Sequence, residues 1–552
     1  MDVVVFVFSF LVAALGQPHF PKIFSLLAYL GGHAVFWTIL LRIQKKNRRF
    51  LLASLWFFFV QCVQLSWFIT FEYHGSYIVF AYLLICILLG LQYGLLSLLL
   101  PLKTGSFHLG RACSLAAFWS VMEWLRLFFL CGFAFNPLGL ALSGNLVTLQ
   151  MASLIGILGM SFWVMWINGL AFAAITEKNF RNIMQWLIGA LLPICFGVFH
   201  LHTHANKLDK APEWKVALVQ PGLRMEEKNL LMPRWDSFLS PYEQWQKIFS
   251  YLPKKETFDF IVLPEAAVPF RAFDPVYSFD ISWELLKSHY GEQITQYLPL
   301  SSPFISLNAD NSLSATNAFF AKVLSNYYNA DVIIGLDSTD SNEKKNYNAA
   351  FHFSPVNSKE NRYEKQILVP LGEYLPFSFL RKLVARYGIT DFFSPGVKTK
   401  VFQGKAPISI SICYEECFSH IIRKGREAGA NLLINVTNDA YYPNTNLPRA
   451  HYELGKIRAI ENGVPLLRSC NTGVTACIDC LGRSEELKNE EGHFEWVKGA
   501  LCTKISSYHY KTLYSICGNY LIIGLSFVIL LLFFMNSARK TFLSKEKKLR
   551  IS

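Results

Sequence analysis

The sequence predicts two kinds of structure in one chain: a multi-pass α-helical membrane bundle of eight spans, and an α/β layered domain in water placed before the last span. Three observations carry this. Residues 1–200 and 518–536 contain apolar runs long enough to cross a bilayer, about 20 residues each. Residues 205–510 read instead as short apolar strands alternating with helical patterns, the alternation of a layered fold with buried central strands. Basic side chains gather in alternate loops of the apolar part, as they do where charge sets membrane orientation.

At 552 residues the chain exceeds one ordinary domain. It is 52% hydrophobic and only 16% charged, and that charge content lies below the ordinary range of soluble domains. A net charge of +13 raises the question of nucleic acid. Its location answers it. Arg42, Lys45, Lys46, Arg48 and Arg49 lie between two apolar runs, and Arg539, Lys540, Lys545, Lys547, Lys548 and Arg550 follow the last one. The charge reads as topology with some contact to anionic lipid, and no nucleic-acid partner is expected.

Taken in order, the expected spans lie near 2–17, 23–42, 50–71, 76–101, 112–131, 147–175, 181–201 and 518–536. The first is short but is no signal peptide, because it lacks a basic start and Gln17-Pro18-His19-Phe20 is not a small-residue cleavage site. Basic residues fill the loops at 42–49, at 102–111 (Lys103, Arg111) and at 176–181 (Lys178, Arg181). The loops at 17–22, 72–75 and 132–146 hold only Lys22. With seven spans before the aqueous domain, this alternation requires both termini to be cytoplasmic and residues 205–510 to lie outside. The expected domains are a bundle at 1–203, a catalytic domain at 214–506, an eighth span at 518–536 and a basic cytoplasmic tail at 537–552.

Within the bundle, Glu123 and Arg126 need a reason, since ionisable groups at membrane depth are costly. At i, i+3 they share a helix face, so they either neutralise each other or contact a lipid headgroup or gate. Of twelve cysteines, Cys62, Cys86, Cys113, Cys131 and Cys195 fall inside apolar runs and read as packing. Cys477-Ile478-Asp479-Cys480 has CxxC spacing, but no partner motif follows at zinc-ligand distance, and no metal is expected.

The aqueous domain opens with a strand at Trp214–Gln220. Phe258–Leu263 is a strand running into Pro264-Glu265, and Asp331–Gly335 is another. Pro407–Ile412 alternates isoleucine with serine, the period of a half-buried strand, and stops at Cys413-Tyr414-Glu415-Glu416. Asn431–Val436 runs into Thr437-Asn438-Asp439. Helical patterns fill Ser419–Ala428 and Ala450–Glu461. In such folds chemistry gathers where strands end. Three groups stand there or in a turn: Glu265, Lys365 and Cys413. A carboxylate takes the thiol proton, the thiolate attacks a carbonyl, and an ammonium stabilises thiolate and oxyanion.

Leu263-Pro264-Glu265, Lys365 ahead of Leu368–Pro376, and Ile412-Cys413-Tyr414-Glu415 resemble the three motifs of the nitrilase, or carbon–nitrogen hydrolase, superfamily. Asn438–Tyr442 and Arg458–Ser469 extend the likeness. With seven spans before and one after, the chain resembles the apolipoprotein N-acyltransferase family, and Glu123-Trp124-Leu125-Arg126 with Gly132-Phe133 resembles its membrane part. The resemblance implies an αββα sandwich in the periplasm of a bacterial inner membrane. It implies a ping-pong reaction without cofactors, in which Cys413 takes an acyl chain from a phospholipid, phosphatidylethanolamine, as a thioester. The amine of a diacylglyceryl apolipoprotein then receives it. It implies Glu265 as general base, Lys365 with the Tyr414 backbone N–H at the oxyanion, and Glu373 and Glu415 as supporting carboxylates.

Aminolysis needs water excluded. Leu230-Leu231-Met232-Pro233 and the stretch Tyr374–Leu380, with Phe377 and Phe379, are expected lid loops, the second equally readable as core. Residues 270–330 read as an insertion, and Cys417 reads as a packing residue rather than half of a disulfide. Two other functions share the motifs: a membrane-tethered amidase or nitrilase, and a non-catalytic lipoprotein-binding scaffold.

Overall fold

The computed structural model describes residues 2–101, 109–129, 132–228, 237–340, 345–356, 361–377 and 392–549. The chain divides into two compact units. Met1–Phe71, Ser76–His204 and Thr512–Ser552 make the first, and Glu72–Gly75 and Ala205–Lys511 the second.

Among the described residues, five helices are long and apolar enough to cross a membrane: Lys22–Leu41, Tyr77–Ser97, Ala152–Glu177, Phe180–Lys210 and Tyr520–Arg539. Helices Asp2–Ala14, Lys46–Gln64 and Leu109–Leu125 stand at the other three expected positions but are shorter or less apolar. The C-terminal helix runs on to Leu549, well past the expected end of its span. A π-turn at Ala28–Gly32 interrupts the second helix. Asn168 stitches the break: its amide donates to the carbonyls of Ala28 and Tyr29 at 3.0 and 3.1 Å and accepts from the N–H groups of His33 and Ala34 at 2.9 and 3.1 Å. In an apolar medium those groups have no water to turn to. Leu84, Ile87, Leu88 and Leu91 on one helix and Phe527, Val528, Leu531 and Leu532 on the last are exposed, as a lipid-facing surface requires.

The second unit holds fifteen strands among its described residues: β1 (Glu213–Gln220), β2 (Phe260–Val262), β3 (Tyr277–Ser278), β4 (Ile305–Leu307), β5 (Leu313–Ala315), β6 (Asp331–Asp340), β7 (Lys345–Phe353), β8 (Asn361–Glu364), β9 (Val401–Phe402), β10 (Ile408–Ile412), β11 (Leu432–Thr437), β12 (Leu466–Cys470), β13 (Ala476–Ile478), β14 (Ser484–Glu486) and β15 (Gly499–Ser506). Two six-stranded sheets run β15-β1-β2-β6-β7-β8 and β14-β13-β12-β11-β10-β9, and a small one runs β3-β5-β4. The centre of each large sheet is parallel, β1-β2-β6 in one and β10-β11-β12 in the other.

The two sheets face each other. Val216, Leu218, Phe260, Val262 and Ile333 of one pack with Ile408, Ile410, Ile412, Ile434 and Val436 of the other in a single core. Helices cover the outer faces. Trp245, Phe249, Phe319 and Phe320 lie on the first sheet; Ile422, Tyr452 and Ala459 lie on the second. The result is the four-layered αββα sandwich.

Two details differ from expectation. All five residues of β10 are buried, so its alternation does not mark a wet face. Ser409 and Ser411 face a helix layer that needs small side chains, because Gly425 of helix Ser419–Glu427 lies directly against the Ser409 hydroxyl. Residues 270–330 are also more than an appendage. Helix Asn317–Tyr328 supplies Phe319, Phe320, Val323 and Leu324 to the core on the first sheet, and Tyr277 of β3 and Ala315 of β5 join them.

Candidate active site

Three strand ends converge. Glu265 follows β2 by three residues, Lys365 follows β8 directly and Cys413 follows β10 directly. Glu265 is brought close to β6 by a glycine. A Cβ on Gly335 would stand 2.5 Å from the Glu265 Cα and 2.7 Å from the Pro264 carbonyl oxygen, distances no side chain tolerates. Gly335 N–H donates to that carbonyl at 3.1 Å, and Ala267 N–H donates back to Gly335 at 2.9 Å.

The Lys365 ammonium sits between two carboxylates, 3.0 Å from Glu265 Oε1 and 2.8 Å from Glu373 Oε1. Asn348 on β7 repeats this from another side, its amide donating to Glu265 at 2.7 Å and to Glu373 at 2.9 Å. Glu373 Oε2 accepts from the Val369 N–H at 2.8 Å. Lys365 is 1% exposed and Glu265 5%, so these charges are removed from water and depend on one another. Burial alone would lower Lys365, but the charges of Glu265 and Glu373 hold it well above its ordinary value.

Cys413 has φ 50°, the left-handed region that a residue with a side chain enters at a cost of about 1–2 kcal/mol. The strand thus turns sharply into a 3-10 turn, Cys413–Cys417, and presents the thiol at its corner. Burial pushes the thiol up to about 12; the Glu265 charge adds to this, while Lys365 and His451 oppose it. The thiol therefore rests protonated at neutral pH, and attack on a carbonyl requires a base. Glu265 is the carboxylate whose charge bears most on it.

Two buried networks hold the corner. Glu415 accepts from the N–H groups of Ile412, Gln366 and Ile367 at 2.8, 2.6 and 3.3 Å, and from the Tyr363 hydroxyl at 2.9 Å. It ties the cysteine strand to the lysine loop; burial raises it to about 7, against the pull of those donors. Tyr414 follows the thiol, its ring edge-on to Phe418 at 4.9 Å. Behind the corner, His451 Nδ1 meets Asp439 at 2.9 Å and its Nε2 meets Glu416 at 3.0 Å and the Cys413 carbonyl at 3.3 Å. Arg468 donates to Glu416 at 2.9 Å and Asp439 at 3.3 Å. Burial would lower His451, but the charges of Glu416, Cys417 and Asp439 hold it well above its ordinary 6.5, charged and donating.

Asn348, His451 and Tyr363 were not singled out from the sequence. Asn348 lies within β7 and His451 on a helix, away from the strand ends where the motifs lie. Among the described residues no ion pair joins Glu123 to Arg126. Glu123 Oε1 accepts from Trp119 at 2.7 Å and from the Leu138 N–H at 2.8 Å, while Arg126 donates to the Phe135 carbonyl at 3.0 Å and lies over the Phe133 ring. Both contact the segment 133–138 within the first unit. Cys417 is buried and free. Leu230–Pro233 and Phe379 of the expected lids lie outside the described residues; Phe377 is 48% exposed, on the surface rather than in the core.

The comparisons bear on the fold and the family. Residues 215–494 match the carbon–nitrogen hydrolase family model, and residues 9–170 match that of the apolipoprotein N-acyltransferase N-terminal domain. The apolipoprotein N-acyltransferase of Chlamydia pneumoniae is 31% identical over 95% of both chains, and that of Chlamydia caviae 30% over 94% of this chain and 95% of its own. The enzyme of Rickettsia prowazekii is 27% identical over 75% of this chain and 74% of its own. A carbon–nitrogen hydrolase domain with its thiol corner, joined to a matching membrane region, places this chain in the apolipoprotein N-acyltransferase family.

Proposed function

We propose that the chain N-acylates the N-terminal S-diacylglyceryl cysteine of apolipoproteins, the final step of lipoprotein maturation, with an acyl chain taken from a phospholipid. The observation that carries this is the thiol corner at Cys413 under the charges of Glu265 and Lys365, in a chain of this family. In the first half-reaction Glu265 takes the Cys413 proton and the sulfur attacks the sn-1 ester carbonyl. The tetrahedral oxyanion collapses to a thioester, and Glu265 returns the proton to the departing glycerol oxygen. In the second, the acceptor's α-amine attacks the thioester, an amide forms, and its proton passes through Glu265 to the leaving sulfur.

Lys365 is the oxyanion's cation. An ammonium has three donors, and the two carboxylates use two of them. The third is left for the oxyanion, beside the Tyr414 backbone N–H. Glu373 and Glu415 position these groups without moving a proton.

The donor in this reading is phosphatidylethanolamine. The chain lies in a bacterial inner membrane with eight spans, both termini cytoplasmic and the catalytic domain periplasmic; the helices at all eight expected positions and the alternating basic loops support this. The domains follow the sequence boundaries: bundle at 1–203, catalytic domain at 214–506, eighth span at 518–536 and basic tail at 537–552. The test is Cys413→Ala in a cell that depends on this chain, with lipoprotein N-termini read by mass spectrometry. Diacyl N-termini with free amines should accumulate. Persisting triacyl N-termini would overturn the assignment, as would cleavage of small amides without acyl transfer, the outcome an amidase gives.

A further inference from the structure

One buried charge in the second unit has no use in that mechanism. Lys228, at the end of the short helix Met225–Lys228, is 7% exposed, and its ammonium nitrogen is shielded from solvent with no hydrogen-bond partner among the described residues. A buried ammonium left unpaired is expensive, and its persistence asks for a ligand. The charges that reach it are those of Glu265 and Asp337, and the Cys470 thiol lies nearby.

Asp337 belongs to the same wall by geometry. It pairs across the sheet with Asn348, and residues directly opposite in an antiparallel pair project to the same face. Asn348 is the residue whose amide joins Glu265 to Glu373. Asp337 also lies two residues beyond Gly335, the glycine against the Glu265 backbone. Among the described residues no ion pair joins Asp337 to Lys228. Two opposite charges therefore lie within electrostatic reach of Glu265 and make no ion pair with each other among the described residues. Burial brings Lys228 down to about 8 and Asp337 up to about 6; the Glu265 charge adds to the rise of Asp337, while Arg271, bridged to it through the backbone, and Lys228 oppose it.

The chemistry says what lies on this side. Glu265 returns its proton to the departing glycerol oxygen, so the leaving half of the donor sits beside Glu265, and its headgroup follows the glycerol. An anion on Lys228 alone would face the carboxylates of Glu265 and Asp337. A headgroup carrying its own ammonium avoids this, because each of its charges meets an opposite one. We propose that Lys228 and Asp337 form the headgroup subsite for the acyl donor, Lys228 holding the phosphate and Asp337 the primary ammonium of a zwitterionic phospholipid. This rests on the function proposed above and adds residues that choose the donor.

The test follows acyl-thioester formation on Cys413 in the purified full chain. Three donors carry the same fatty acid: phosphatidylethanolamine, phosphatidylglycerol and a p-nitrophenyl ester. The wild-type chain should prefer phosphatidylethanolamine to phosphatidylglycerol by about tenfold, the worth of one charge-assisted hydrogen bond. D337N should bring the phosphatidylethanolamine rate down to that of phosphatidylglycerol. K228M should slow both phospholipids by about tenfold to a hundredfold, while the p-nitrophenyl ester, having no headgroup, reacts within about twofold of wild type in both variants. K228M removes an unpaired buried charge, so its thermal unfolding should not fall. Equal losses with the p-nitrophenyl ester would overturn the subsite, placing the pair in the support of Cys413 and Glu265. So would an unchanged donor ratio in D337N or unchanged phospholipid rates in K228M. Normal thioester formation with slowed transfer to an acceptor peptide would overturn it too, by giving Asp337 to the acceptor's ammonium. A wild-type chain that forms no thioester from either phospholipid, while the p-nitrophenyl ester still acylates Cys413, overturns the proposed function itself.

Discussion

Removing the base should make the nucleophile easier to ionise while ending catalysis, and Glu265→Gln separates these effects. The Glu265 charge is the largest contribution after burial to the raised Cys413 thiol, and Lys365 opposes it. At about 5 Å and an effective dielectric constant of about 20, one charge is worth about 3 kcal/mol, a change in thiolate fraction on the order of a hundredfold. A less basic thiolate is also a weaker nucleophile, and a Brønsted coefficient of about 0.4–0.5 returns roughly tenfold of that gain. Alkylation of Cys413 by iodoacetamide at pH 9 should therefore run about tenfold faster in E265Q than in wild type. Thioester formation from phospholipid should fall by about 10²–10⁴, the usual contribution of a general base. The assay is the mass of the Cys413 peptide against time, with and without phospholipid. Slower alkylation in E265Q would refute the reasoning, since it would mean that the resting enzyme already holds a thiolate that Glu265 sustains.

Other consequences follow from named contacts. Gly335→Ala places a Cβ 2.5 Å from the Glu265 Cα, so the backbone of the base must move. A shift near 1 Å costs about a hundredfold in rate, and overpacking costs about 1–3 kcal/mol, read as thioester formation and thermal unfolding of the same variant. His451→Gln tests the charged network behind the thiol corner. His451 is held above its ordinary 6.5, so its charge stabilises the fold fully below pH 6.5, and this contribution fades as pH rises through the folded value. The gap in unfolding midpoint between wild type and H451Q should shrink as pH rises above 6.5. A gap that widens would mean that the imidazole is neutral.

Two of the three candidate groups could be read from the chain because they stand where apolar runs end, whereas Lys365 follows the polar strand Asn361–Glu364. Phe260–Val262 running into Glu265 and Ile408–Ile412 running into Cys413 mark themselves, since a strand fixes a side chain and the turn after it exposes one. The bundle showed through its runs and basic loops for a similar reason: a bilayer demands length and composition, which are local properties. What escaped depends on tertiary approach. Asn348 is one polar residue in a strand, and only the pairing of β7 with β6 and the turn at Glu373 bring it between two carboxylates. His451 sits on a helix face, and nothing in its neighbours shows that it will charge against Glu416 and Asp439. The serines of β10 misled because period-2 polarity means a wet face in most strands, whereas here it means a helix packed too close for larger side chains. Glu123 and Arg126 suggested a pair from i, i+3 spacing, yet backbone groups of the segment after their helix offered each a different partner.

Everything proposed here passes through an acyl group on one sulfur. Phospholipid carrying a labelled sn-1 chain, mixed with the purified full chain and quenched in acid, should leave the label on Cys413 as a hydroxylamine-sensitive thioester. Adding a diacylglyceryl peptide with a free N-terminal amine should move that label into an amide that hydroxylamine does not release. Label that never appears on Cys413, or that leaves it only as free fatty acid when the peptide is present, would contradict the acyl-transfer reading.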